Sequence, residues 1–494
     1  MTIETDVLII GAGPTGLMLG CELRRCGIDC VVVDRSARID RRTRAVMVHA
    51  ASLEQLEQLG LRTKIERKGV RQRRIVFHLH HSAHYTIDFS SLDTRYPYYL
   101  NVPQPEVEEV LAAEFKKLGG TLVRGLGYVS HQETGNGVSS DLASAIGPVR
   151  IDSQYLVGAD GAGSTVRTGL GVEFPGVTYP MSYLLAEGQP VVPPPPDSSA
   201  MYVGRSGSVS LLPLPGGTIR VAGPVSSELL DRDETLPLER FQDTVDRLGF
   251  GNTLRLAHAD RVAQYQVHER LADRFRVGRV LLAGDAAHLN SPAGGQAMNT
   301  GFGDAAALAW RLGQLVRDSN LGIDLLDGYA HERRATARAV ARSTGDLGVL
   351  QSMREATSGA EQALVRARLS GLAEAWSQLY LTYPAATSPT GEAQLFRGPH
   401  RIRPGARIPG LRPVAGLFTL LVRPGQVADA LRNASRLPVG AHIDELTPQQ
   451  ASWLPAGATA ALVRPDRHVA VVLPQLTTTT QRQAIAGLRE EVPA

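Results

Sequence analysis

A glycine-rich turn close to the first residue has the spacing of a dinucleotide-binding site. Residues 7–10 are apolar and run into the pattern Gly-x-Gly-x-x-Gly, formed by Gly11, Gly13 and Gly16. The first glycine permits a tight turn, the second lets a diphosphate approach the backbone, and the third lets helix and strand pack closely. The N–H groups at the start of the next helix then face the phosphates. The residues of this turn that we expect to bind the nucleotide are Gly11, Gly13, Pro14, Thr15 and Gly16.

An acid ends the next predicted strand. Residues 31–33 are three valines, and Asp34 follows them. A carboxylate at this position can accept hydrogen bonds from both hydroxyls of a ribose. Arg35, the next residue, belongs to the same predicted site. Because strand, helix and acid occur in register, the segment predicts a dinucleotide site rather than an ordinary glycine-rich turn.

A second glycine-rich segment indicates which dinucleotide is bound. An apolar strand ends at Gly284 and Asp285, and a turn then leads into a predicted helix. A carboxylate at a strand end can bind a ribityl hydroxyl. The amides of Met298 and Asn299, at the helix start, can stabilise the N1–C2=O edge of a flavin, which becomes anionic on reduction. The residues that we expect to line the isoalloxazine are Pro292, Gly294, Gly295, Gln296, Ala297, Met298 and Asn299.

Two shorter segments also favour FAD. Asp160 and Gly161 follow another predicted strand and begin a turn. Arg44, together with Gln104, forms the other candidate contact with the cofactor. These segments move the interpretation from an unspecified dinucleotide to FAD.

The composition limits the possible partners and compartments. The chain has 494 residues, which is room for about three domains. Its formal net charge of +3 gives no reason to expect a nucleic-acid partner. Its three cysteines, Cys21, Cys26 and Cys30, form neither a disulfide framework nor a metal motif, so a reducing cytoplasm is expected. No basic-then-apolar leader begins the sequence, and no apolar run reaches the roughly 20 residues of a membrane span.

Changes in residue pattern and composition along the chain predict an inserted sheet and a separate C-terminal module. Alternating strands around a Pro-Gly-Gly hairpin signal indicate an antiparallel sheet within the nucleotide-binding domain. A stretch rich in Pro, Gly and Arg then precedes a small α/β module that contains no cysteine. The predicted division is 1–75, 98–175 and 265–385 for the FAD-binding domain, 76–97 and 176–264 for the substrate-binding domain, and 400–494 for the C-terminal domain.

In their order, three motifs resemble those of the class A FAD-dependent aromatic hydroxylases, the relatives of p-hydroxybenzoate hydroxylase. These motifs are the early glycine pattern, Asp160-Gly161 and Gly284-Asp285. The resemblance covers nearly the whole chain and is greatest to the long form, as in phenol hydroxylase and bacterial aromatic polyketide hydroxylases. It implies an α/β fold with a Rossmann-like FAD-binding domain, an inserted antiparallel-sheet substrate domain and a C-terminal thioredoxin-like α/β domain.

The resemblance also implies roles for single residues. Asp34 would bind the adenosine ribose, Arg44 and Gln104 would contact FAD, Asp160 would serve FAD and reductant binding, and Asp285 would bind the ribityl chain.

The chain departs from the family pattern at two places. Ala297 stands where glycine is usual, and residues 50–52 are Ala-Ala-Ser where a second arginine is common. Both departures bear on how easily the flavin moves and is reduced.

In the family that the chain resembles, NADPH or NADH reduces FAD and dioxygen then forms a flavin C4a-hydroperoxide that hydroxylates an aromatic ring. We therefore expect an FAD-dependent monooxygenase acting on a bulky, polyketide-like aromatic, with a place in antibiotic biosynthesis. Baeyer–Villiger insertion, epoxidation or a non-redox cyclisation that retains FAD are the alternatives. The oligomeric state stays open, a homodimer being one option.

No catalytic base is identified from the sequence, because the cofactor performs the redox and oxygen chemistry in such enzymes. Candidates for the substrate pocket are Tyr85, Tyr179, Tyr202, Arg205 and Arg220. His78 and His80 would share one face of a strand, which is a ligand-like arrangement, but no carboxylate or cysteine completes a cluster. We therefore expect no metal.

Overall fold

The computed structural model of the chain describes residues 2–42, 44–79, 84–204, 207–225, 236–344, 352–353, 355–356, 358–385, 391–396, 402–426 and 441–474. The helices are α1 (Pro14–Arg25), α2 (Ala50–Gln58), α3 (Arg62–Glu66), α4 (Gln104–Lys117), α5 (Thr165–Gly169), α6 (Leu238–Arg247), α7 (Ala297–Arg317), α8 (Leu325–Thr344), α9 (Gly359–Ser370), α10 (Leu372–Ser377) and α11 (Pro448–Ala451).

The strands are β1 (Thr2–Ile10), β2 (Cys30–Asp34), β3 (Met47–Val48), β4 (Val70–Gln72), β5 (Arg74–Leu79), β6 (His84–Asp88), β7 (Tyr99–Asn101), β8 (Thr121–Arg124), β9 (Leu126–Thr134), β10 (Gly137–Ser144), β11 (Gly147–Gly158), β12 (Gly176–Pro190), β13 (Ser198–Val203), β14 (Ser208–Pro213), β15 (Ile219–Val225), β16 (Leu256–Leu271), β17 (Arg276–Val277), β18 (Val280–Leu282), β19 (His288–Leu289), β20 (Phe418–Val422), β21 (Ala441–Glu445), β22 (Ala460–Val463) and β23 (Val469–Leu473).

The first sheet has the order β17-β18-β11-β1-β2-β8, and β1, β2, β8, β11 and β18 run parallel in it. Its central strands are continuous runs of Val, Leu and Ile that are buried on both faces. Such runs are typical of parallel sheets covered by helices on both sides. On one side α1 packs between α4 and α7, which brings the beginning of the chain beside the helix that follows the late glycine segment.

The second sheet has the order β19-β16-β12-β15-β14-β13-β5-β6 and is mostly antiparallel. One face packs on α6 through an apolar cluster that includes Leu184, Ala186, Val221 and Phe241. The neighbouring residues along each strand therefore point to the other face, because side chains alternate along a strand. This is the inserted antiparallel sheet that the sequence predicts.

A four-stranded sheet forms the C-terminal module, with the order β21-β20-β22-β23. β20 is parallel to β21 and antiparallel to β22, which is antiparallel to β23. This order and these directions are those of a thioredoxin-like sheet. The α/β fold class predicted from the sequence is thus confirmed in all three of its parts.

The three cysteines lie in the first α/β unit. Cys21 and Cys30 are buried, and burial raises the pKa of both thiols, to about 12 for Cys30. Cys26 is half-buried, and burial raises the pKa of its thiol as well. All three are free thiols.

None of the helices in the described part of the chain combines the length and the apolar character that crossing a bilayer requires.

Candidate functional site

The glycines of the early turn have different neighbours. Gly11 has φ +110°, and a Cβ there would lie 2.2 Å from the Ala159 carbonyl oxygen. A Cβ at Gly16 would lie 2.0 Å from the Gly11 carbonyl oxygen, so only glycine lets the helix approach the turn. A Cβ at Gly13 would meet nothing within 4 Å, so this residue faces open space. The turn is therefore closed on its protein side and open where a diphosphate would lie.

The carboxylate of Asp34 holds the same turn. Its Oδ2 accepts a hydrogen bond from the Ala12 amide at 2.8 Å, and its Oδ1 accepts one from the Ser36 amide at 2.7 Å. Arg35 is exposed beside it. Each carboxylate oxygen retains a lone pair, so the position suits ribose hydroxyls as well.

The two glycine-rich segments lie against each other at Thr15. A Cβ at Gly284 would lie 2.6 Å from Thr15 Oγ1, and a Cβ at Gly301 would lie 2.1 Å from the same atom. Thr15 is in the first turn of α1, and Gly301 is near the start of α7. Neither helix has a side-chain cap at its N-terminus, so their first N–H groups are available to a ligand.

Asp285, next to Gly284, has a carboxylate that accepts no hydrogen bond from any residue that the structure describes. Burial raises its pKa, while the charges of His288 and Arg44 lower it. Arg44 itself is exposed and pairs with Asp40 at 3.2 Å. An acceptor at the end of a buried strand, with no donor among the residues described, suits a ribityl hydroxyl.

Gln104 is fastened to the segment that contains Arg44. Its Oε1 accepts a hydrogen bond from the Ala45 amide at 3.0 Å, and its Nε2 donates to Glu108 at 2.8 Å. This hydrogen bond places Gln104 beside the segment that contains Arg44, the other predicted FAD contact.

The side chain of Asp160 supports the start of α5, five residues further along the chain. Its carboxylate accepts hydrogen bonds from Ser164 Oγ at 2.5 Å, from the Thr165 amide at 2.7 Å and from the Val166 amide at 3.2 Å. Gly161, the next residue, has φ +84°. The side chain thus supports the local turn, and the backbone beside it contacts Gly11.

The loop before α7 is held by close contacts on two sides. A Cβ at Gly294, where φ is +69°, would lie 2.7 Å from the indole of Trp376, and one at Gly295, where φ is +62°, would lie 2.6 Å from Met47 Cβ. Gln296 donates to the carbonyl oxygens of Gly294 and Trp376. Of the remaining residues predicted to line the ring, Pro292 is exposed, Ala297 is half-buried and Met298 is buried.

Asn299 fastens this loop to the early part of the chain. Its Oδ1 accepts a hydrogen bond from the His49 amide at 2.8 Å, and its Nδ2 donates to the carbonyl oxygens of Met47 at 2.9 Å and Gly295 at 2.8 Å. The predicted role of this residue concerns its backbone amide. The structure adds a role for its side chain that the sequence does not reveal.

His49 is a further residue that sequence reasoning missed. It is fully buried, and its Nε2 lies 2.7 Å from the Gly294 carbonyl oxygen, so Nε2 carries the proton and donates it. Burial lowers the pKa of its imidazole to about 4. The one available signal is its position directly before α2, five residues after Arg44.

Arg220 is a buried cation on the face of the second sheet opposite α6. It lies 3.5 Å from Glu187 and hydrogen-bonds with Tyr265. Burial lowers the pKa of Arg220 and raises that of Tyr265. The Tyr265 ring lies 5.7 Å from that of Tyr183, which hydrogen-bonds with Ser291, the residue before Pro292. This polar face therefore reaches the loop that precedes α7.

The cleft as a whole fits FAD. An open glycine and a helix N-terminus suit a diphosphate, unpaired Asp285 suits a polyol, and the N-terminus of α7 suits an electron-rich ring edge. Comparison with known families agrees, because the family described as FAD binding domain matches residues 4–344. The chain belongs to the FAD-binding domain family.

Relatives of this FAD-binding protein include named monooxygenases. It is 35% identical, over 70% of its length and 69% of the relative's, to the 12-dehydrotetracycline 5-monooxygenase/anhydrotetracycline 6-monooxygenase of Streptomyces rimosus subsp. rimosus. A solved structure of an anhydrotetracycline hydroxylase from Streptomyces rimosus is 30% identical, has a TM-score of 0.78 and is matched over 98% of this chain and 99% of that one. The prediction of an FAD-dependent oxidoreductase of the monooxygenase class is confirmed.

The same fold also occurs in a protein with a different described activity. A solved structure described as a Diels–Alderase in the biosynthetic pathway of pyrroindomycins is 26% identical, has a TM-score of 0.70 and is matched over 95% of this chain and 97% of that one.

The other predicted pocket residues of this FAD-binding protein lie apart from Arg220. Tyr202 belongs to the apolar cluster on the α6 side and stacks on His78, with ring centroids 4.9 Å apart. Tyr85 is buried beneath Arg366, which lies 5.6 Å from its ring. Arg205 lies outside the described residues.

Tyr179 lines a cavity of about 590 Å³ between β12, β16 and α8. Three arginines and one glutamate contribute to its wall, together with Asn290. The Asn290 Nδ2 is buried and has no hydrogen-bond partner among the described residues. The arginines are Arg270, Arg338 and Arg342.

The histidine pair predicted as a weak metal candidate is only partly visible. His78 lies beside His84, with ring centroids 5.0 Å apart, and His80 lies outside the described residues. In the part of the chain that the structure describes, no group of three or more His, Cys, Asp or Glu could hold a metal ion.

Proposed function

We propose that this protein is an NAD(P)H-consuming, FAD-dependent monooxygenase that uses dioxygen to hydroxylate a bulky, polyketide-like aromatic. The observation that carries the proposal is the convergence of two glycine-rich turns at Thr15, with the polar face around Arg220 reaching the loop before α7 through Ser291. The related monooxygenases named above act on tetracycline precursors, which are substrates of this class.

We propose the predicted cofactor contacts and domain division as part of the same assignment. The N-terminus of α1 and the open face of Gly13 would hold the diphosphate, Asp34 the ribose and Asp285 the ribityl chain. The first amides of α7 would face the ring. When bound, FAD supplies the electron transfer and the activation of oxygen.

Arg220 would act on the substrate. A buried cation beside a phenol oxygen lowers the pKa of that phenol, and the phenolate has more electron density at its ring carbons. Glu187 and Tyr265 hold the guanidinium in place. The absorbance of a bound phenol changes when the phenol ionises. We expect Arg220→Met to raise the pH at which this change occurs by about one unit or more, while the FAD content stays unchanged. Absence of any shift would remove Arg220 from this role.

The cavity with three arginines would receive the phosphates of the reductant. We expect the double variant Arg338→Gln, Arg342→Gln to raise the KM for NADPH about tenfold, since each guanidinium contributes a charge-assisted hydrogen bond, and to leave kcat unchanged. Arg150→Gln is the matched control, because Arg150 is exposed and pairs with Asp141 on a distant hairpin. An unchanged KM would place the reductant elsewhere.

The experiment that tests the function uses the purified yellow protein without oxygen. NADPH or NADH with an aromatic polyketide should bleach the flavin, and admission of oxygen should give a product heavier by one oxygen atom. Product structure then separates hydroxylation from epoxidation and Baeyer–Villiger insertion. A flavin that never bleaches, with an isomerised substrate, would favour the cyclase alternative, for which Ala297 and the similar Diels–Alderase fold speak.

A further inference from the structure

The turn between β22 and β23 of the C-terminal module places charged side chains inside the protein. Arg464 is 3% exposed and Asp466 is 5% exposed. Arg464 donates to Asp466 at 3.0 and 3.1 Å and to Glu332 of α8 at 2.6 and 3.2 Å. The module is therefore joined to α8 through a fully buried ion pair.

The same charges continue into α7. Glu332 also accepts from Arg311 at 2.7 Å, and Asp466 accepts from the indole Nε1 of Trp310 at 3.1 Å. Two cations thus alternate with two anions, and the group is electrically neutral. We call this group, Arg311, Glu332, Arg464, Asp466 and Trp310, the docking network.

A chain of three side chains leads from this turn to the late glycine segment. His468 stacks on Tyr383, with ring centroids 4.0 Å apart. The Tyr383 hydroxyl accepts a hydrogen bond from Arg333 Nη1 at 3.3 Å, and Arg333 Nε donates to Asp304 Oδ1 at 2.7 Å. Asp304 Oδ2 accepts from the Gly284 amide at 2.9 Å. The C-terminal turn thereby reaches the residue next to Asp285.

Each member of this Tyr383–Arg333–Asp304 chain is buried and depends on the next. Arg333 and Asp304 have no exposed surface. His288 Nε2 also donates to Asp304 at 2.7 Å; burial opposes ionisation, but the charges of His288 and Arg333 hold the Asp304 pKa below its ordinary value. A buried charge that loses its partner is strongly destabilised, so a change at Tyr383 alters the support that Asp304 gives to Gly284.

The segment that leads into the module also contacts α2, on the opposite side of the cleft. Arg407, in this segment, pairs with Glu54 of α2 at 2.7 Å. His49 directly precedes α2 and hydrogen-bonds to Gly294. Both attachments end on the loop and turn that face the flavin ring and ribityl chain, whereas the module has no cysteine with which to perform thiol chemistry.

We propose that the C-terminal module is a positioning element for the flavin: its buried turn at residues 464–468 fixes the Gly284-Asp285 turn through the Tyr383–Arg333–Asp304 chain, so that docking of the module and binding of FAD are thermodynamically coupled. Coupling of this kind is reciprocal. FAD should tighten the module, and loosening the module should weaken FAD binding.

The test uses Tyr383→Phe in the full chain. This change removes only the hydroxyl and leaves one N–H of Arg333 without its partner. We expect the Kd of FAD, measured by quenching of flavin fluorescence on addition to apoprotein, to rise about five- to tenfold. Arg412→Gln is the matched control, because Arg412 precedes the same module but is exposed and pairs with Glu57; its Kd should equal that of the parent.

A second measurement needs no variant. Amide hydrogen exchange in β22 and β23 should slow when FAD is added to the parent protein, and the FAD-dependent difference should shrink in Tyr383→Phe. An unchanged Kd, a melting temperature lowered equally with and without FAD, or exchange in β22 and β23 that ignores FAD would overturn the proposal. If the parent protein takes up FAD but shows none of this coupling, only this inference is wrong. If the parent protein never takes up FAD, the proposed function is wrong.

Discussion

The early and late glycine turns have the same design but different support. Both place positive-φ glycines before a helix N-terminus without a side-chain cap. The hydrogen bonds from the amides of the early turn go to Val33 and Asp34 of the same β-α-β unit, and the turn also packs against Ala159. The late turn is held by residues that lie up to about 250 positions away in the sequence, among them His49, Trp376 and Asp304.

This difference separates two tasks. A turn whose hydrogen bonds form within about 30 residues gives a fixed binding site for a diphosphate, whose chemistry does not change during a reaction. A turn supported from several elements can be adjusted by each of them, which suits the ring, whose charge does change. We therefore expect substitutions in the early turn to abolish folding or FAD binding, and substitutions in the late turn to reduce stability or alter the flavin environment only in part.

The largest effect is expected at Gly11. Gly11→Ala would place a Cβ 2.2 Å from the Ala159 carbonyl at φ +110°, and should destabilise the fold by about 3 kcal/mol or more. Gly13→Ala is its counterpart, because its Cβ meets nothing and φ is −77°. It should leave the melting temperature of the apoprotein unchanged and abolish FAD uptake. A Gly13→Ala protein that still purifies yellow would contradict the assignment of the diphosphate.

Asn299→Ala should have the next largest effect. It leaves the His49 amide and the carbonyls of Met47 and Gly295 without their partner, at a cost of about 2–4 kcal/mol. Urea unfolding of the apoprotein measures this loss, and a shifted visible flavin spectrum would show that the late turn has moved. Asn320→Ala, at an exposed asparagine after α7, should change neither quantity. Loss of stability without a spectral shift would separate Asn299 from the flavin loop.

Acid should destabilise the fold through His49, which holds the late turn. The His49 pKa is about 4 in the folded protein, below its unfolded value of about 6.5, so unfolding takes up a proton between these values. Stability is therefore full above about pH 6.5 and is lost as the pH falls towards 4, by about 2 kcal/mol between pH 7 and 5. Burial also lowers the pKa of His468 to about 4, which adds a loss in the same direction. Unfolding curves measured from pH 7 to 5 check this slope, and a flat profile would contradict buried, neutral histidines.

Ala297→Gly should give the smallest effect. Ala297 is the first residue of α7, where the helix propensity lost is under about 1 kcal/mol. The melting temperature should fall by a few degrees at most, while the rate of flavin bleaching by NADPH should rise because the ring edge gains room. An unchanged rate would mean that this methyl group does not restrain the flavin.

The sequence predicted the early turn well because its residues are neighbours along the chain. Strand, turn, helix and acid within positions 7–34 leave one arrangement, and the structure has it. The order of the motifs also predicted the three-part α/β fold. By contrast, His49 acts through Asn299 and Gly294, which lie 250 and 245 positions away and are brought near only by folding, so no local spacing reveals it.

Two predicted roles depended on information that strand patterns do not carry. The alternation of residues along a strand sorts side chains such as Tyr202 and Arg220 onto the two faces of a sheet, but it does not show which face packs on a helix. In the structure, Tyr202 lies on the face that packs on α6. Asp160 carries the right residue type at a strand end, and strand patterns do not show that its carboxylate also accepts hydrogen bonds from the first amides of α5. The docking network joins residues up to about 155 positions apart, and buried ion pairs of this kind leave no periodic signal.

The seclusion of the three thiols has a consequence for an enzyme that adds oxygen to phenols. Dihydroxylated rings oxidise readily to quinones, and quinones alkylate thiolates, the reactive form of cysteine. Here burial keeps Cys21, Cys26 and Cys30 protonated. If the proposed substrate gives such quinones, these cysteines would offer them little thiolate to alkylate.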